Sequence, residues 1–171
     1  MMKKNGFTLI ELMITLMVVA IVSAIAYPSY TSYTEKKDLA VAKHTALQLA
    51  AELEKFKNKN FSYKGFDPSY LYSRYNRATG ILYLPIDSID KTALFQLSIK
   101  DVSSGLAISS GNTAVTGQSW AITVERMPLT GDLKQPKNYD LLLTSTGIKC
   151  MTRTANIVKG LTSCGDNDAD W

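Results

Sequence analysis

An apolar run near the N-terminus constrains the fold of this chain more than any other feature of the sequence. Residues 7–27 contain one charged side chain, Glu11, and the basic pair Lys3 and Lys4 precedes them. As a helix, these residues would reach roughly 32 Å at ~1.5 Å each, enough to cross the ~30 Å hydrocarbon core of a bilayer. Because basic residues stay on the cytoplasmic side, we predict a cytoplasmic N-terminus, with the chain after Pro28 across the membrane.

The alternative for this run is a cleavable secretory signal peptide, in which residues 24–26 would form the small-residue cleavage box. Two features argue against it. The run exceeds the roughly 7 to 15 apolar residues of a signal-peptide core, and it contains a carboxylate. An acidic side chain at the centre of a spanning helix costs on the order of 2.5 to 3.5 kcal/mol, and less near an end. Glu11 therefore needs an explanation. Protonation, or a side chain that reaches toward the headgroups, would make it tolerable in the membrane, but neither gives it a purpose.

A helical pattern continues beyond the apolar run. Apolar residues recur at alternating steps of three and four, which predicts one buried helix face. They are Leu39, Ala42, Ala46, Leu49, Leu53 and Phe56. No glycine interrupts residues 7–58, and a single proline permits a kink as readily as a stop. We therefore predict one long kinked helix over residues 7–58, with residues 7–27 spanning the membrane and Pro28 at the kink.

The motif KKNGFTLIEL, residues 3–12, resembles the class III leader and N-terminus of type IV pilins and pseudopilins. The resemblance implies that a prepilin peptidase removes residues 1–6 by cutting between Gly6 and Phe7, and then methylates Phe7. Pro28 matches the helix-kinking proline of the family, and a tyrosine cluster surrounds it. The first third of the chain is most similar to PilE-type minor pilins of Gram-negative bacteria.

The resemblance also implies a function. The chain would be stored in the inner membrane as a single-pass protein with a periplasmic head, and would polymerise through its N-terminal helix into a type IV pilus on the cell surface. Its partners would be other pilin subunits, the prepilin peptidase and the pilus assembly platform. Such pili support twitching motility, adhesion or DNA uptake. In this family Glu11 is thought to pair with the amino group of Phe7 in a neighbouring subunit, which would make Glu11 an assembly residue.

The remainder of the chain, residues 59–171, is predicted to form a globular head. Prolines, glycines and tyrosines mix in residues 59–92, which predicts a connecting loop. Alternating apolar residues then predict strands at 94–102, 119–126, 139–144 and 148–152, within a sheet region of residues 93–152. An antiparallel sheet packed on the apolar face of the helix gives an α+β fold. The pilin resemblance implies the same arrangement.

Cys150 and Cys164 are the only two cysteines. The predicted topology places them in an oxidising compartment, which favours a disulfide over a reduced pair. Closing the loop 150–164 would stabilise the fold by roughly 3 kcal/mol. The loop resembles the disulfide-bounded region that forms exposed contact surface in pilins. The alternative is that the bridge only pins a fraying terminus.

The sequence has no nucleotide-binding glycine motif, nucleophile elbow or paired metal ligands, so we predict neither an enzyme nor a cofactor. His44, the only histidine, is predicted to be an incidental surface residue. Asp166, Asp168 and Asp170 imitate half of a calcium loop, but Trp171 stands where such a loop requires glycine. We predict a solvated acidic tail and no metal site. Calcium is the alternative, because some pseudopilins bind it near this end.

Residues 69–84 place Arg74 and Arg77 among four tyrosines, a composition that can stack on single-stranded DNA. The alternative is that the tyrosines pack the loop against the head, and we favour it. The net charge is +4, and it falls to +2 when Lys3 and Lys4 are set aside. This charge does not support DNA binding. Three functional alternatives to the pilus subunit thus remain: a type II secretion pseudopilin, a pilus-borne DNA-binding module and a plain single-span membrane protein.

We expect chain purified from cells to begin at Phe7 and to carry one added methyl group. Gly6 offers a small, flexible residue to a peptidase on the cytoplasmic side, where Lys3 and Lys4 hold it. Intact-mass analysis measures both changes. A mature chain that begins at Tyr27 would instead establish the signal-peptide alternative.

Overall fold

The computed structural model describes residues 7–166, 169 and 171. Gly6 and the basic pair before it lie outside the described residues, as do Asp168 and Asp170. A single long α-helix, α1, runs over Leu9–Asn60 and contains Pro28. The chain divides into two compact units, one that ends at Lys36 and one over Lys37–Trp171.

The first unit contains the apolar half of α1. Residues 7–30 are all exposed. By length and composition, α1 is long and apolar enough to cross a membrane near the N-terminus of the chain. The helix begins two residues after Phe7 because Thr8 caps it, as described below.

The second unit is the head, whose strands are all antiparallel. Five of them form the main sheet in the order β1-β2-β3-β6-β7, and β4 pairs with β5 in a small hairpin. Short 3-10 helices lie at Pro68–Tyr70 and Ile157–Gly160. The strands are β1 (Ile81–Leu84), β2 (Phe95–Asp101), β3 (Trp120–Arg126), β4 (Pro128–Leu129), β5 (Asp132–Leu133), β6 (Asp140–Thr144) and β7 (Lys149–Thr152). The predicted α+β fold is confirmed.

The sequence pattern predicts four of the main strands to within two residues, but it gives no indication of β1. This strand lies inside the segment predicted to be a connecting loop, together with the first 3-10 helix. β1 has only four residues, between Gly80 and Pro85, which is too short for its alternation to be distinctive. Pairing with β2 buries Leu82 and Leu84. The β4–β5 hairpin was also absent from the predicted strands.

One face of α1 packs into the main core of the head. Its fully buried residues are Ala42, Ala46, Leu49 and Leu53. They belong to the same apolar cluster as residues of the predicted strands, such as Leu97, Ile122 and Leu141. The helix therefore contributes two small and two large apolar side chains to this core.

A polar contact near the C-terminal end of α1 joins the helix to the sheet. Glu54 Oε1 accepts hydrogen bonds from the Tyr63 hydroxyl at 2.7 Å and from Trp120 Nε1 at 3.1 Å. The rings of Tyr63 and Trp120 meet edge to face. The helix, the loop that follows it and β3 are thereby joined at one point.

The disulfide-bounded loop covers the opposite face of the sheet. Ala121, Leu142 and Cys150 project there, because successive residues of a strand alternate between faces. They cluster with Val158, Leu161 and Cys164 from the loop. Cys150 and Cys164 form the predicted disulfide. The loop thus acts as a second covering layer.

Asp101 organises the turns at the end of β2. It is fully buried, and its carboxylate accepts five hydrogen bonds, from the amide and hydroxyl groups of Ser104 and Thr116 and from the amide of Gly117. Burial raises the pKa of Asp101, but these hydrogen bonds outweigh burial and hold the pKa below its ordinary value of 3.8. A depressed carboxylate pKa contributes stability above the unfolded-state pKa, and this contribution is lost as the pH falls through the folded-state pKa.

We expect Asp101→Asn to lower the free energy of unfolding by roughly 2 to 3 kcal/mol at neutral pH, because an amide nitrogen cannot accept the bonds that a carboxylate oxygen accepts. Urea unfolding at pH 7 and near pH 3 measures the change. The difference in free energy of unfolding between wild type and variant should shrink as the pH falls below 3.8. Asp87→Asn is the control, since that side chain is 76% exposed. An equal gap at both pH values would contradict the role assigned to the Asp101 carboxylate.

The disulfide gives a second expectation. Free-thiol labelling of the denatured chain from the cell envelope should detect no thiol, because both cysteines are paired. Replacing both with serine should lower the free energy of unfolding by roughly 3 kcal/mol, since the unfolded chain gains the freedom of an open loop. Two labelled thiols in the wild-type chain would refute the pairing.

Candidate functional site

The first turn of α1 is built around Glu11. Thr8 caps the helix: its hydroxyl oxygen accepts from the Glu11 amide at 3.3 Å, and Glu11 Oε2 accepts from the Thr8 amide at 3.3 Å and from the Thr8 hydroxyl at 3.2 Å. This reciprocal arrangement is a capping box, which satisfies backbone donors that a helix otherwise leaves unpaired at its start.

The capping box explains how an acidic residue is accommodated in the apolar run. The carboxylate lies in the first helical turn, where the helix dipole favours negative charge and where its hydrogen bonds satisfy backbone groups. The signal was present in the sequence, because Thr-x-x-Glu before an apolar run is the motif of a capping box. The predictions for Glu11 rested instead on protonation, on its reach toward headgroups and on its pairing with Phe7 of a neighbouring subunit, without the cap.

The capping box leaves part of the carboxylate available. Both bonds to Thr8 use Oε2, and among the residues that the structure describes Glu11 Oε1 makes no hydrogen bond. Phe7, which precedes the cap, is 85% exposed. Glu11 is therefore able to accept from a donor on another molecule without leaving its place in the helix.

The helix surface beyond Glu11 is apolar, and residues 12–30 are exposed. Two of its hydroxyls bond locally: Thr15 donates to the Leu12 carbonyl at 2.8 Å, and Thr31 donates to the Pro28 carbonyl at 3.0 Å. Such local bonds suit a helix surrounded by lipid or by other helices, where no water is available. Three tyrosines end this surface, and each is about 70% exposed. They are Tyr27, Tyr30 and Tyr33.

The tyrosine-rich loop of the head is mostly a packing element. Tyr72 and Tyr75 are buried, and burial raises the pKa of Tyr75 to about 12. Arg77 Nε donates to the Ser109 carbonyl at 3.1 Å. Arg74 lies 3.7 Å from the Asp87 carboxylate. The burial of these two tyrosine rings favours the packing alternative, because a buried ring cannot stack on single-stranded DNA, while Tyr70 of the same segment is 67% exposed.

The remaining candidates show no chemical site. His44 is exposed, as predicted for an incidental residue. Of the three acidic residues in the tail, only Asp166 is described. Within residues 7–166, 169 and 171, no three His, Cys, Asp or Glu side chains form a group that could hold a metal ion.

Comparison with known proteins gives similarity at the N-terminal end. The prokaryotic N-terminal methylation motif matches residues 1–27. Two fimbrial proteins of Pseudomonas aeruginosa are each 46% identical over 54 residues, which is 30% of this chain and 35% of theirs. Type II secretion system core protein G of the same species is 34% identical over 61 residues, 36% of this chain and 43% of that protein. No solved structure matches the chain.

These alignments span well under half the length of the curated relatives, and each covers only about a third of this chain. The motif match itself ends at Tyr27, one residue before Pro28. The motif match therefore concerns the segment that contains Glu11 and the exposed apolar helix.

Proposed function

We propose a structural role for this chain, on the premise that it belongs to the family of type IV pilins and pseudopilins, whose N-terminal methylation motif it carries. In this role it is a subunit of a type IV pilus, and a minor pilin in particular. The observation that supports the role best is the exposed apolar surface of residues 7–30, with one carboxylate held in the first turn. An apolar surface of this extent has to be covered by lipid or by like helices.

The subunit is proposed to exist in two states, first in the inner membrane and then in the filament. Before assembly, the helix spans the inner membrane with its N-terminus in the cytoplasm and the head in the periplasm. The prepilin peptidase then cuts between Gly6 and Phe7, and the assembly platform passes the subunit into the filament. The apolar helix surface leaves lipid and packs against the helices of other pilins in the surface pilus.

Glu11 is proposed to set the stagger between neighbouring subunits. Cleavage after Gly6 gives Phe7 a positively charged amino group, and the free oxygen of a neighbouring Glu11 can accept from it. In an apolar surrounding such a pair is strong only when the two charges are close, so it selects one register of the helices. The capping box holds the carboxylate in place for this contact.

Two substitutions separate the charge from the cap. Glutamine also serves in a capping box, so Glu11→Gln keeps the helix start and removes the charge, whereas Glu11→Ala removes both. We expect both variants to insert into the membrane and keep the disulfide. We also expect both to fall at least about tenfold in the sheared-pilus fraction, because each lacks the partner of the neighbouring amino group.

The measurement is the amount of chain in sheared filaments relative to the amount in membranes, with wild-type chain in parallel. Glu11→Gln at wild-type abundance in filaments would show that the cap, and not the charge, is needed. Wild-type chain that is absent from filaments would overturn the pilus proposal itself.

A type II secretion pseudopilin is the second candidate, and the 34% identity to core protein G favours it. Deletion of the gene separates the two candidates. Loss of surface filaments with normal export of folded exoproteins supports the pilin. Loss of export with normal filaments supports the pseudopilin.

A further inference from the structure

Residues 165–171, which follow the disulfide, form a segment that we name the strap. It begins next to Cys164, which is joined to Cys150 of β7. The sequence predicts a solvated acidic tail here, whereas the structure attaches Ala169 and Trp171 to β7. The described residues of the strap are Gly165, Asp166, Ala169 and Trp171.

The strap occupies the outer edge of β7. This strand is outermost in the main sheet, so β6 pairs with one side of it only. On the other side, the Met151 amide donates to the Ala169 carbonyl at 2.8 Å, and the Ala169 amide donates to the Met151 carbonyl at 3.0 Å. This reciprocal pair is an antiparallel bridge. The backbone groups that an edge strand would offer to another chain are therefore already paired at Met151.

Trp171 attaches the far end of the strap to two elements at once. Its Nε1 donates to the Cys150 carbonyl at 3.0 Å. The ammonium groups of Lys43 on α1 and Lys149 on β7 lie 5.5 Å and 5.0 Å from the centroid of its ring. Both distances suit a cation–π contact. Trp171 thus joins the helix to the edge strand.

The strap passes from one face of the main sheet to the other. Cys164, just before the strap, belongs to the apolar cluster on the face that the disulfide-bounded loop covers. Trp171, at the other end, packs against the main core on the helix face. The segment that connects them crosses the β7 edge, and the bridge at Met151 marks the crossing point. Contacts at both ends therefore hold the strap across this edge.

The β7 strand has little other protection against edge pairing. Edge strands in native proteins are commonly protected by proline, by charged side chains or by a covering segment. β7 contains no proline, and Lys149, its one charged residue, is in contact with Trp171. An uncovered β7 edge would pair readily with the same edge of a second copy, because two antiparallel strands related by a two-fold axis satisfy each other's backbone groups.

We propose that the strap is an autoinhibitory segment: while it covers the β7 edge, a strand from a second copy of this chain cannot be added there. The head is thereby kept from pairing edge to edge, and association is left to other surfaces of the molecule. This inference goes beyond the proposed function and does not depend on it, because it concerns the head of the free chain.

Two substitutions open the strap in the full-length, detergent-solubilised chain. Ala169→Pro removes the amide that donates to Met151, and Trp171→Ala removes the ring. We expect amide exchange at Met151 to become at least about tenfold faster in dilute protein, because the strap no longer protects it. We also expect each variant to dimerise at a concentration at least about tenfold lower than wild type, measured by sedimentation equilibrium.

Ala169→Ser is the control, because it keeps the backbone amide, and it should match wild type in both measurements. Protection of the Met151 amide should return in the dimer, since the second copy then occupies the edge. Faster exchange without a gain in dimer formation would overturn the autoinhibitory role. A dimer in which Met151 stays unprotected would overturn the β7 edge as the contact. Wild-type exchange rates in both variants would show that the strap does not cover the edge.

Amide exchange across β3 and labelling of free thiols report whether the fold survives the substitutions. Both should match wild type in Trp171→Ala, so this variant decides the question if Ala169→Pro disturbs β3. Loss of β3 protection in Trp171→Ala would show that the strap serves the fold and would overturn the proposal. None of these measurements uses filaments, so a negative result leaves the proposed function standing.

Discussion

The burial of one α1 face against the five-stranded sheet is the contact on which the rest of the head depends. Four side chains of that face are fully buried, and two of them are alanines, Ala42 and Ala46. They share one apolar cluster with the larger buried residues of the strands, so helix and sheet bury each other's apolar faces. Glu54 adds a polar joint to Tyr63 and Trp120 beyond the apolar face. The helix is thereby fixed to the head at several points along its second half.

A consequence is that the central strands need covering on both faces. Every residue of β6 is buried, and so are six of the seven residues of β3. Among the described residues, α1 is the one α-helix, and it covers the first face. The disulfide-bounded loop covers the second face with Val158 and Leu161, and the bridge between Cys150 and Cys164 holds it there. The disulfide is therefore part of the core architecture, and any role of the loop in recognition adds to this one.

The elements with strong local periodicity were those that the sequence predicted well. The three- and four-residue steps from Leu39 to Phe56 gave the buried helix face, and alternation gave β2 and β3. β1 could not be predicted, because four residues carry too little pattern and the strand exists only through its pairing with β2. At the candidate site, the processing motif and Glu11 were evident from the sequence. Thr8 and Glu11 also match the capping-box motif in the sequence, but a capping box forms only where a helix begins at these residues.

By itself, the sequence determined the long helix, the apolar segment that contains Glu11, the cysteine pair and the α+β class. These follow from local composition and spacing, which physical chemistry converts directly into helix, strand or membrane preference. Only the tertiary structure decided that Tyr72 and Tyr75 of the tyrosine loop are buried and that the disulfide loop covers a sheet face. The reason is that burial and exposure depend on residues distant in sequence, which local pattern does not bring together.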